Sequence, residues 1–401
     1  MNKSTRPALR PPQIKEFSPL STEAVASSSA SSPKAAKIQP LTGLRFVAAL
    51  LVYISHLPVP AGLGLDFNFL GFQGVALFFA LSGFVLTYNY YEAFSGKFWN
   101  RLWPFLVAGL ARIYPMQLFS FLWVASSFNL LRELQANPEA IVRQLTLTQA
   151  WAGYREMGFG YNLVSWSVSV EFFFYLTFPI LTYFVLRHCQ NIWQLLSLAG
   201  VVYLGLLALT LWLGISSDIN QPSSNQNLFY WLYMFPGTRL VDFLMGLVAG
   251  RVYLLWQSRP VSQSEGRIGL LLLYSSIGAI AAIILYKPDW LALEFFRLGN
   301  AACPFAALLI FCLARYPTAF SKLLASRLLV LLGEASYSFY LLHWFFLQEH
   351  LPQLKAQSAP GSYIYGLLLL LVLLLLSLGA YSFIEIPARK LLRRLLTPRS
   401  N

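Results

Sequence analysis

The chain has 401 residues, 57% of them hydrophobic and only 11% charged, against about 25% charged residues in ordinary soluble domains. With 32 Phe, 21 Tyr and 11 Trp, this composition excludes a disordered chain, a collagen, a coiled coil and a disulfide-stapled secreted module, and leaves a polytopic membrane protein. A net charge of +13 would suit nucleic acid, but the basic residues stand in short patches between apolar runs, as membrane-anchoring charges do, so no nucleic-acid partner is expected.

The first forty residues differ from the rest. STEAVASSSASSPKAAK is a Ser/Ala-rich stretch behind a basic start with no apolar core, which excludes a cleavable signal peptide and predicts a disordered cytoplasmic tail over 1–40. From Leu41 onward ten apolar segments follow, at 42–57, 69–89, 112–131, 165–186, 193–214, 237–256, 267–286, 299–315, 328–348 and 362–386. Each is near the ~20 residues that a helix needs to cross a bilayer. They are continuously apolar rather than alternating, which predicts helices and not a strand barrel. The expected architecture is an all-α polytopic membrane protein of about ten transmembrane helices. The membrane domain would run over 41–388, with a short basic cytoplasmic tail over 389–401.

Charge placement tests the count. With the N-terminus inside, 21 of the 29 Lys and Arg residues fall on the cytoplasmic side and six outside, with Arg45 and Arg239 within spans. That bias favours ten helices with both termini cytoplasmic. The three cysteines, Cys189, Cys303 and Cys312, lie in or beside apolar segments, and neither their number nor their spacing fits a disulfide framework or a metal site. No metal and no bound cofactor is expected.

Ionisable groups inside a span are costly and normally face the bundle interior or a water-filled cavity. This chain places Arg45 and His56 in the first span and Arg112 at the start of the third. Glu171 lies in the fourth, Arg239 and Asp242 in the sixth, Glu334 and His343 in the ninth and Glu385 in the tenth. They point to a polar intramembrane site without separating an enzyme from a transporter. Arg45 and His56 are eleven residues apart, about 16 Å along a helix and close to three full turns, so they project from nearly one face. A cation at the inner end and an imidazole at the outer end would suit a long ligand threaded through the membrane, phosphates inward and reactive end outward. Histidine is the common general base near neutral pH. The plain alternative is an arginine that snorkels to the headgroups and an interfacial histidine. The sequence has no Walker A loop, GxSxG elbow, HExxH or paired aspartates for a nucleotide-sugar metal site, which disfavours an ATP-driven pump.

Seven blocks in order resemble the integral-membrane acyltransferase family 3, bacterial enzymes that O-acylate cell-surface sugars. LTGLRFVAALLVYISH matches its opening Arg-x10-His helix at Arg45 and His56, and GFQGVALFFALSGFVLTY resembles its second helix. ARIYP carries Arg112, Tyr114 and Pro115. SWSVSVEFFFYLTFP carries Trp166, Ser167, Glu171, Tyr175 and Pro179. RLVDFLMGLVAG, LGEASYSFYLLH and FIEIPARK resemble the sixth, ninth and tenth helices. The resemblance covers nearly all of the chain beyond the tail.

It implies transfer of an acyl group, most often acetyl, from cytoplasmic acyl-CoA as cosubstrate to a hydroxyl of a surface or lipid-linked sugar, by a multi-pass protein of the inner (plasma) membrane. His56 would deprotonate the acceptor hydroxyl or carry the acyl group itself. Arg45 and Arg112 would hold the anionic donor, and Glu171 would orient a nearby cation or the acceptor. Trp166, Tyr175, Arg239, Glu334, Ser336 and His343 complete the set as residues lining the site or its acceptor end.

Each has a plainer reading. Trp166 and Tyr175 would serve helix packing, and Glu171 would pair with Arg112 or Arg239. Arg239 and Asp242 would form an internal ion pair, Ser336 and Tyr337 would bond between helices, and Glu385 would cap or pair. Two positions depart from the family pattern. Gly109 stands where many members have a second arginine, so that if the pair grips donor phosphates either Arg101 or another basic residue compensates or donor affinity is lower, and Ala76 stands where a polar residue is frequent. The hydrolase-like domain fused to some relatives is not expected here. The rival class is a transporter or flippase of a glycan or acid, without covalent chemistry.

Overall fold

The computed structural model describes residues 37–57, 67–96, 98–126, 130–153, 161–216, 228–286, 288, 290–356 and 359–397. Except for 37–40, the expected disordered tail lies outside the described residues. All regular structure among the described residues is helical. In chain order the helices are α1 (Gln39–Ser55), α2 (Asn68–Gly96), α3 (Phe98–Ala125), α4 (Leu130–Ala136), α5 (Pro138–Thr146), α6 (Trp166–Phe184), α7 (Ile192–Ser216) and α8 (Pro236–Trp256). They continue with α9 (Gln263–Leu285), α10 (Leu291–Gly299), α11 (Cys303–Arg315), α12 (Ala319–Leu324), α13 (Arg327–Glu334), α14 (Ser336–Ala356), α15 (Ala359–Ala380) and α16 (Ile386–Leu396). Short π-helical turns at Tyr230–Met234 and Tyr381–Glu385 precede α8 and α16.

Over the described residues every apolar segment read from the sequence is largely helical, although 299–315 is interrupted by a turn at 300–302. Seven described helices are long and apolar enough to cross a membrane, or eight if the bent pair α13–α14 is one span. Two expected spans fall outside that set for plain reasons. Helix α1 has 17 residues, and α8 carries three charges, Arg239, Asp242 and Arg251. Two further expectations are corrected. Arg112 lies in the middle of its helix, because α3 begins at Phe98. The segment at 328–348 is not one straight helix but turns by 65° between α13 and α14. The turn follows Gly333, whose missing side chain lets the backbone press on the Thr42 carbonyl of α1. There Ser336 Oγ donates to the Gly333 carbonyl at 2.8 Å, and Gly/Ser pairs of this kind are a recognised cause of sharp bends.

Helix α2 is the centre of the bundle, packed on α1, α3, α6, α8 and α11. Its contact with α8 is close because the facing residues are small. A side chain at Gly246 would collide with the Ala80 carbonyl, and one at Gly83 with the Phe243 carbonyl. This is the small-residue logic of membrane helix pairs, where apolar burial gives no preference for protein over lipid and close backbone approach supplies the dispersion energy. Helix α2 and the span Phe296–Arg315, which ends in α11, are 67% and 78% buried over their most apolar windows, whereas α7 and α9 are each only 17% buried. The apolar residues of α7 and α9 therefore face outward, as lipid-contacting helices do. The basic run Arg389, Lys390, Arg393 and Arg394 lies on α16, which has no buried residue.

Candidate active site

Helix α1 carries both ends of the site. It is continuous from Gln39 to Ser55, with His56 as its C-cap residue. Arg45 and His56 therefore differ by about 20° around the axis and about 16 Å along it.

Near the N-terminal end of α1, Arg45 lies within electrostatic reach of Arg112 on α3, Glu171 and Tyr175 on α6, and Glu385 in the second π-turn. Arg112 shares the same neighbours. Two guanidiniums that would repel each other are thus accompanied by two carboxylates. The surrounding hydrogen bonds fix the frame. Tyr337 Oη donates to the Ile113 carbonyl at 2.7 Å, joining α14 to α3. Ser338 Oγ donates to Glu385 Oε2 at 2.9 Å, and Arg389 stands 3.9 Å from the other carboxylate oxygen. The π-turn that ends two residues before Pro387, which has no backbone N–H to give the ladder, carries Glu385 into this buried position.

The position of Gly109 has a structural reason. A Cβ there would stand 2.5 Å from Tyr175 Cδ1 and 2.8 Å from its Cγ, so the tyrosine ring fills the space in which any larger side chain would begin. The cation that accompanies Arg112 is Arg45, whereas Arg101 is exposed.

At the other end His56 meets His343 of α14. His56 Nδ1 and His343 Nε2 are 2.9 Å apart, with the ring centroids 5.1 Å apart and the ring planes inclined by 22°. Trp344 packs edge-on against His56. His343 is fully buried, and its Nδ1 lies 2.5 Å from the Tyr340 carbonyl. Tyr340 Oη in turn hydrogen-bonds Ser167 Oγ at 2.8 Å. Asn162 Nδ2 donates to the Leu341 carbonyl at 2.9 Å, tying the start of the α6 region to the same turn of α14.

The remaining predicted residues divide. Arg239 and Asp242 form the expected ion pair, Nη2 to Oδ2 at 3.1 Å with neither side chain exposed, and Asn300 Nδ2 donates to the same carboxylate oxygen at 3.0 Å. The Arg239 guanidinium lies over the rings of Phe79 and Tyr233. Trp166 packs in the same aromatic cluster and is buried, as is Tyr175. Glu334 ends α13 and pairs with Lys37 at 2.5 Å and with Tyr381 Oη at 3.1 Å. It forms one wall of a cavity of about 460 Å³, with Gln39 and Arg327 among its other walls. Ser336 bonds across the α13–α14 bend, to the Gly333 carbonyl three residues back. Among the described residues no three His, Cys, Asp or Glu side chains converge as a metal would require.

Sequence reasoning did not bring His343 to His56. Both are polar residues in otherwise apolar segments, but their pairing across 287 residues depends on how α14 leaves the bend at Ala335.

A model of the family described as "Acyltransferase domain" (Acyl_transf_3) matches residues 39–384. The chain is 30% identical over 331 residues to the acyltransferase MdmB of Streptomyces mycarofaciens, covering 78% of this chain and 79% of that protein. It is 25% identical over 378 residues to the O-acetyltransferase OatA of Staphylococcus aureus, covering 87% of this chain but only 57% of OatA. No solved structure matches. With the seven ordered motifs and the family match both running across the helical bundle, the chain belongs to the integral-membrane acyltransferase family 3.

Proposed function

We propose that the protein transfers an acyl group, acetyl by preference, from cytoplasmic acyl-CoA to a hydroxyl of a surface or lipid-linked sugar. O-acetyl transfer is the activity in the name of the Staphylococcus relative, and a multi-pass membrane enzyme is what the family and the apolar helices support. We further propose ten spans, both termini in the cytoplasm and residence in the inner membrane, as the bias of basic residues favours. The observation that carries the reading is the arrangement on α1. Arg45 joins Arg112 at one end, and His56 stands on the same helix face at the other.

In this reading Arg45 and Arg112 hold the donor phosphates by charge-assisted hydrogen bonds, and the thioester reaches toward His56. Glu171 and Glu385 hold the two guanidiniums in place when the donor is absent. His56 takes the proton of the acceptor hydroxyl while the hydroxyl oxygen bonds to the thioester carbonyl carbon. The C–S bond then breaks, and the proton passes from His56 to the sulfur, giving the ester and free CoA thiol. General acid–base help of this kind contributes about 10²–10⁴-fold. A transporter would need no arrangement of base and donor cations on one helix face, and no feature of the site favours that reading.

The test is acyl transfer from radiolabelled acetyl-CoA to membrane or surface glycan in cells carrying wild type or His56→Ala at matched protein levels. Label with wild type and its loss in an inserted mutant support the proposal. A His56→Ala variant that labels like wild type would refute His56 as the base.

A further inference from the structure

We propose that His343 is a positioning residue that selects the tautomer of His56, so that His56 carries its proton on Nδ1 and its free lone pair on Nε2. The inference rests on the acyl-transfer reading for its catalytic consequence but not for its geometry.

The direction of the chain follows from its anchored end. The Tyr340 carbonyl oxygen can only accept, and it lies 2.5 Å from His343 Nδ1, so that nitrogen carries a hydrogen. A neutral imidazole with hydrogen on Nδ1 has its lone pair on Nε2. His343 Nε2 is the atom 2.9 Å from His56 Nδ1, so His56 must donate from Nδ1. The lone pair of a neutral His56 then falls on Nε2. The alternative, a His343 imidazolium donating from both nitrogens, would bury a full charge among the rings of Phe339 and Tyr340, at a cost those neutral neighbours do not offset. The anchor is rigid because Tyr340 is itself held by Ser167 and the next carbonyl, of Leu341, by Asn162.

The chemical use is specific. A base must present an unprotonated nitrogen to the hydroxyl, and of the two tautomers only the one with hydrogen on Nδ1 leaves Nε2 free. As His56 Nε2 takes the hydroxyl proton, the ring becomes cationic, and the bond from Nδ1–H to His343 Nε2 becomes charge-assisted and stronger. His343 therefore favours the charged state of the reaction over the neutral one. No proton leaves Nδ1, so the proton count is that of the transfer itself. His56 Nε2 takes one from the hydroxyl and returns one to sulfur.

The test uses two variants of the whole 401-residue chain in nanodiscs. His343→Phe keeps the flat ring and its packing but removes the acceptor, whereas His343→Gln restores an acceptor at the same reach. The expected result is a fall in kcat of about 10²-fold or more for His343→Phe with KM for acetyl-CoA unchanged, and recovery of at least about tenfold of that loss by His343→Gln. The second readout needs no turnover. Nitrogen-15 NMR of histidine-labelled protein, with the His56 signals assigned by difference from His56→Ala, should show His56 protonated on Nδ1 in wild type and in His343→Gln, and on Nε2 in His343→Phe. A wild-type His56 protonated on Nε2, or a His343→Phe enzyme with wild-type kcat, overturns the proposal. If His343→Phe does not insert, the wild-type spectrum and the His343→Gln kcat decide. A fully active His56→Ala alongside an Nδ1-protonated His56 would instead overturn His56 as the base and leave the tautomer assignment standing.

Discussion

The contact between Gly109 and Tyr175 gives a stability prediction whose sign depends on the neighbour. In an isolated helix Gly→Ala is favourable by about 0.8–1 kcal/mol. Here the new Cβ would stand 2.5, 2.8 and 2.9 Å from three carbons of the Tyr175 ring, well inside ordinary contact. The ring has little freedom to retreat, being 4% exposed and packed against Phe105 at 5.7 Å. Overpacking of this type costs about 1–3 kcal/mol, which outweighs the helical gain. Gly109→Ala should therefore destabilise the protein, by up to about 2 kcal/mol. In a Tyr175→Ala background the obstacle is gone, and the same change should become neutral or stabilising by up to about 1 kcal/mol. The assay is thermal unfolding in detergent of wild type, both single variants and the double, read as a double-mutant cycle. Equal shifts for Gly109→Ala in both backgrounds would refute the reasoning, since they would mean that the ring does not occupy that space.

Other expectations follow from single contacts. Asp242→Asn leaves the unexposed Arg239 without its counter-charge and should cost about 3–5 kcal/mol, whereas Arg239→Met with Asp242→Leu should recover much of it; unfolding temperatures that rank otherwise count against the pair as a structural unit. Gly246→Leu would drive a side chain into the Ala80 carbonyl and should cost at least about 2 kcal/mol, visible as loss of the monodisperse peak in size-exclusion chromatography. Arg112→Lys loses a planar, multidentate donor and should raise KM for acetyl-CoA about tenfold, the equivalent of one charge-assisted hydrogen bond of about 1.5 kcal/mol. An unchanged KM would remove Arg112 from the donor end.

Some of this protein is determined by the sequence alone, because the relevant physics is local. Apolar runs of span length become helices in lipid, since only helices and closed barrels satisfy the backbone there and these runs are continuously apolar rather than alternating. Over their described residues all ten segments are largely helical. The relation between Arg45 and His56 is likewise local, a matter of eleven residues on a regular helix. The Arg239–Asp242 pair could be read the same way, from a spacing of three. Tertiary structure decided the rest, because it joins residues far apart in the chain. The start of α3 at Phe98, which puts Arg112 in mid-helix, and the 65° turn after Gly333 answer to packing rather than to hydropathy. Gly109 departs from the family pattern in sequence, and only the facing ring of Tyr175 explains it. The meeting of His56 with His343 is of the same kind. Two helices bring two ring nitrogens to 2.9 Å, and no periodicity within either segment encodes the distance between them.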